Sequence, residues 1–110
     1  MSKNIFKSQI RKKIETVATE IQSLVNEEFQ RDLNQHIKNS ALQQAGLKNG
    51  KEIIDEYSVN FEYGLAFEHL LYMIDETGIT VSQSSSTLLF ELSEEMNLSI
   101  DEIKSQLKLK

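Results

Sequence analysis

The chain has no cysteine, no proline and no tryptophan, and four of its 110 residues are glycine. Without cysteine there can be neither a disulfide nor a thiolate metal site, a composition suited to a reducing compartment. Gly46, Gly50, Gly64 and Gly78 are scattered, so the Pro/Gly punctuation of a β-sandwich is missing and helices are the expected elements. No apolar run approaches the ~20 residues of a membrane span. The basic N-terminal stretch, Lys3 to Lys13, leads into Glu15, Thr16 and Glu20 rather than the apolar segment of a secretory signal. A cytoplasmic protein is the expectation.

Charge of one sign is also missing, but only locally. Between Lys51 and Lys104 lie 52 residues with no lysine or arginine and with twelve carboxylates. At the chain's own frequency of 12 basic residues in 110, about six would be expected there. The net charge of -5 is thus very unevenly spread: +5 over residues 1–13 and -12 over residues 52–103. An undiluted negative field attracts a basic partner and repels nucleic acid, although solubility alone would also be served by it.

The length suits one domain, residues 1–110, with one modest core. Ile10, Ile14, Val17, Ile21 and Leu24 recur at helical spacing, which predicts an amphipathic helix from about Asn4 or Phe6. Phe29, Leu33 and Ile37 continue the pattern, as an extension or a second helix to about Leu42, with Asn26 a possible break. Ala45 to Lys51 reads as a connection and Lys51 to Tyr57 as a short helix.

Asn60 is a candidate cap for a core helix bearing Tyr63, Phe67, Leu70, Leu71 and Ile74, closed by Gly78. After the β-branched Ile79, Thr80 and Val81, Ser82 or Ser84 can cap a helix through Leu88, Leu89, Leu92 and Met96, with a stop at Asn97. Ser99 and Glu102 form a capping box for a last helix with Ile103 and Leu107. The expected fold is all-α, a compact bundle of four to six helices.

Chemistry is sparse. His36 and His69 are the groups that titrate near neutrality, and neither sits in a catalytic motif, so no catalytic residue, cofactor or metal site is expected. A small enzyme using His69 with a neighbouring carboxylate is the weakest of the readings. On the core helix, Glu62, Leu65, Glu68, His69, Tyr72, Asp75 and Glu76 project away from the Phe67 and Ile74 stripe at 100° per residue. They make either a solvated face or a binding epitope, with Tyr72 as an amphipathic anchor among acids. Phe61, Tyr63 and Phe67 read as packing aromatics. Lys12 and Lys13 are expected to pair with Glu15, Glu20 or the acidic half rather than with nucleic acid.

The run Glu62-Tyr63-Gly64-Leu65-Ala66, then Leu70-Leu71, the turn at Gly78-Ile79, the helix start at Ser82, and Leu92 followed by Met96-Asn97-Leu98 resembles MafI-like immunity proteins. The likeness covers about residues 60–98. It implies an immunity protein of a contact-dependent inhibition or polymorphic toxin system, which binds and neutralises a cognate toxin C-terminal domain. Such toxins are often basic nucleases, among them EndoU-type RNases. The implied contact surface is the acidic face from Glu62 to Glu76. The alternative is a helical adaptor or regulatory subunit that binds a partner helix in a bundle groove.

Overall fold

The computed structural model describes the backbone of residues 3–35 and 46–97 and the side chains of residues 9–30 and 46–97. Four helices make up these residues: α1 (Lys3–Gln35), α2 (Gly50–Val59), α3 (Tyr63–Thr77) and α4 (Gln83–Glu95). The expected all-α bundle is therefore what forms. His36, Ile37, the reach to Leu42 and the Ser99–Glu102 capping box lie outside the described residues.

Helix α1 spans 33 residues without a break, about 50 Å at the usual rise. Its buried side chains are Ile10, Ile14, Val17, Ala18, Ile21 and Val25. The expected stripe ended on Leu24, which is only half-buried; Val25 takes the inward place. A helix of 3.6 residues per turn drifts against a strict alternation of three and four, so a long stripe must take an extra step. Asn26 does not break the helix. Its Oδ1 accepts from Gln22 Nε2 at 3.1 Å, and Phe29 packs on the core one turn later.

The three shorter helices all pack on α1, and α2 also packs on α3. Helix α3 carries the densest apolar set, with Tyr63, Ala66, Phe67, Leu70, Leu71, Met73 and Ile74 buried. Removing each large side chain from water stabilises the fold by about 1.5–3 kcal/mol before entropy is counted. Gly50 begins α2 against this helix. A Cβ there would lie 2.3 Å from Met73 Sδ, so glycine is what allows the approach.

Asn60, expected to start α3, instead ends α2. Its backbone N–H donates to Tyr57 O at 3.1 Å and its Nδ2 to Glu56 O at 3.0 Å, so both groups serve carbonyls of the preceding helix. Glu62 holds the N-cap position of α3 and makes no side-chain capping bond. The expected end of α3 and the expected start and stop of α4 are as read. Gly78 closes α3 at φ 69° with its N–H on Ile74 O, Ser82 caps α4 by accepting from Ser85 N–H, and Asn97 lies just past its end at φ 59°.

Helix α1 also supplies the cap that α2 lacks and braces the cap of α4. The α2 N-cap, Asn49, makes no side-chain capping bond, and Gln22 Oε1 accepts the Lys51 N–H at 2.8 Å instead. Gln22 Nε2 donates to Leu47 O at 3.1 Å, fixing the turn that leads in. At α4, the Glu20 carboxylate accepts from Ser82 N–H and Ser82 Oγ, each at 2.8 Å, and from Ser85 Oγ. A carboxylate placed there also meets the positive end of the helix dipole. Burial alone would raise the Glu20 pKa, but the bonds from Ser85 and Ser82 outweigh it and hold the group below its ordinary value.

Lys13 fastens the other end of α4, with Nζ 2.8 Å from Glu95 and 3.3 Å from Glu91. The bond to Glu95 leads over opposing burial and keeps the ammonium above its ordinary pKa. The expected pairing of Lys13 with the acidic half is thus formed. Glu20 is not its partner, because the α4 N-terminus claims that carboxylate.

Candidate protein-binding face

Seven residues on α3 and its cap were expected to share an outward face, and the structure divides them. Glu62, Leu65, Glu68 and Asp75 are exposed, whereas His69, Tyr72 and Glu76 are half-buried. His69 is drawn inward by the chain that precedes α2. Its Nε2–H donates to Gly46 O at 2.9 Å, which places the proton on that nitrogen because a carbonyl can only accept.

Gly46 sits at φ 89°, and a Cβ on it would meet His69 Cε1 at 2.8 Å. The Tyr72 ring lies 5.3 Å from the imidazole at a tilt of 37° and packs against the core. His69 and Tyr72 therefore secure the α1–α2 connection on α3. Apart from Asp75, the outward part of the face is its N-terminal end.

That end is joined by residues that sequence reasoning placed elsewhere or passed over. Phe61, read as a packing aromatic with Tyr63 and Phe67, is 64% exposed, while the other two are buried. Six residues separate Phe61 from Phe67, a rotation of about 240° at helical pitch, so the two cannot share a stripe. Phe61 also lies between a helix end at Asn60 and a helix cap at Glu62, in a connection rather than a helix. The first of these signals, the rotation, was present in the sequence. Val59, the last residue of α2, is 56% exposed and Leu65 is 41% exposed.

The local backbone explains the presentation. Phe61 N–H donates to Ser58 O at 3.0 Å and Glu62 N–H to Tyr57 O at 2.8 Å, closing the end of α2 with Phe61 in the left-handed region at φ 60°. Its ring meets Tyr63 edge-on, with centroids 6.3 Å apart.

Among the described residues from 52 onward, three carboxylates have a basic partner: Asp55 with Lys51 at 3.0 Å, and Glu91 and Glu95 with Lys13. Around the α2–α3 corner, Glu56, Glu62 and Glu68 are exposed and have no basic partner among the described residues. No family model, curated protein or solved structure matches this chain.

Two other features bear on what the surface can do. Among the described residues, no three His, Cys, Asp or Glu side chains are grouped as a metal ion would need. Between α1 and α4 runs a groove of about 260 Å³ lined by Gln9, Lys12, Lys13, Thr16 and Leu88. It is smaller than the ~300–1,000 Å³ usual for a small-molecule cleft. No helix among the described residues is long and apolar enough to cross a membrane.

Proposed function

We propose that this is an immunity protein that binds and neutralises a cognate bacterial toxin domain of basic character, with a nuclease such as an EndoU-type RNase as the expected target. The observation that carries the reading is the exposed, unpaired group Glu56, Glu62 and Glu68 inside a 52-residue stretch without lysine or arginine. A nuclease must present a basic groove to its substrate, and an acidic protein surface can occupy or flank it. The reading is of a binding protein in the cytoplasm rather than an enzyme.

The test is co-expression with the C-terminal domain encoded by the reading frame directly upstream. Growth should be rescued, and the purified pair should co-elute at low salt. Association should slow steeply as ionic strength rises, because screening removes the steering field. Absence of any complex at low salt overturns the proposal.

A further inference from the structure

We infer that Phe61 is the apolar anchor of this face, held outward on the α2–α3 corner to enter an apolar pocket on a cationic protein partner. Val59 and Leu65 flank it, and Glu56, Glu62 and Glu68 pair with lysine or arginine around the pocket. The inference rests on the proposed function for the identity of the partner.

Four observations converge on this corner. Val59, Phe61 and Leu65 are the large apolar side chains left exposed among the described residues, and they fall within seven positions of one another. Exposed apolar residues scattered singly need no explanation, but a group confined to one corner does.

The second observation is conformational. Phe61 stands at φ 60°, where glycine or asparagine would be at ease and a bulky side chain is a rare outlier. A hydrophobic residue before a helix N-cap ordinarily packs on the fourth helical residue, here Ala66. Phe61 is instead 64% exposed, so most of it is not spent on covering the core.

Third, the corner is rigid. The turn bonds from Asn60, Phe61 and Glu62 back to Glu56, Tyr57 and Ser58 fix the backbone, and the edge contact with Tyr63 orients the ring. A pre-organised aromatic loses little entropy on docking. Fourth, the approach is open. Gly64 is exposed, and a Cβ built on it would meet nothing within 4 Å.

The surrounding charge selects the occupant. A second copy of this chain would bring Glu56, Glu62 and Glu68 against their own counterparts, and an anionic lipid surface would repel them. A basic protein gains from the same carboxylates. Aromatic side chains at the centre of an interface, ringed by polar groups, are where binding energy concentrates.

The test uses the full chain and the purified C-terminal domain encoded directly upstream, with Phe61→Gly and Phe61→Asn as variants. Both suit the left-handed backbone, so at least one should retain the wild-type helical spectrum and an equal or higher unfolding midpoint. Affinity for the toxin domain should fall by about 30-fold or more, the loss usual for an interface hot spot. The loss should persist at high salt, where the carboxylates contribute least. Unchanged affinity in a folded variant overturns the inference and leaves the proposed function standing. A wild-type chain that forms no complex removes both.

Discussion

Glu20 is the most informative residue to perturb, because one carboxylate on α1 serves three donors at the start of α4, more than sixty residues away. In Glu20→Gln the amide keeps one acceptor oxygen and presents an NH2 group where a serine donor had pointed. The charge facing the helix dipole is lost as well. Hydrogen bonds to a charged group contribute about 1.5–3 kcal/mol and a dipole interaction about 0.3–1 kcal/mol. Glu20 is half-buried, so solvent screening trims the sum to about 2 kcal/mol. In a domain of this size that lowers the thermal midpoint by about 10 °C.

The pH dependence follows from the lowered pKa. A carboxylate depressed in the folded state stabilises above its unfolded pKa, about 4.3, and the contribution is lost as pH falls through the folded value. The gap between wild type and Glu20→Gln should therefore be full at pH 7 and close below the ordinary glutamate range. Urea titrations at a series of pH values measure it. A variant as stable as wild type at pH 7, or a gap unchanged down to pH 2, refutes the capping role.

Gln22→Ala strands the Lys51 N–H and leaves Leu47 C=O with the Gly50 N–H at 3.4 Å, and should cost about 1–2 kcal/mol with early hydrogen exchange at the start of α2. Ser58 Oγ is buried without a hydrogen-bond partner among the described residues, so Ser58→Ala should leave stability equal or raise it by about 1 kcal/mol in chemical denaturation. Gly50→Ala sets a methyl 2.3 Å from Met73 Sδ and should destabilise by about 1–3 kcal/mol despite better helix propensity. Its cost should shrink in a Met73→Ala background, and additive effects in the double-mutant cycle would show that the two do not meet.

The fold was legible wherever periodicity or a cap residue reports it locally. The α1 and α3 stripes, the Gly78 cap and the Ser82 start each depend on side chains a few residues apart. Glu20 and Gln22 were not legible as caps, since their partners lie 62 and 29 residues along the chain and polar residues on a helix face carry no period. The reversal at Asn60 had a similar origin, because asparagine suits either end of a helix and only the Phe61 backbone decides between them. On the candidate face, Glu62, Leu65 and Glu68 lie outward as helical angles require. His69 and Tyr72 do not, because the connection at Gly46 covers their side of α3, and a single-helix projection contains no neighbour.

Placing on α1 the cap of α2 and the carboxylate that braces the start of α4 also gives the order of the helices along the chain a meaning. As the polypeptide leaves the ribosome, Glu20 and Gln22 emerge before the segments they start, so each later helix meets its docking surface as it is made. A circular permutant with α1 last would retain every native bond in the finished protein. Its other helices would nonetheless wait, exposed, for the template that now precedes them, and aggregation during synthesis would rise without any change in equilibrium stability.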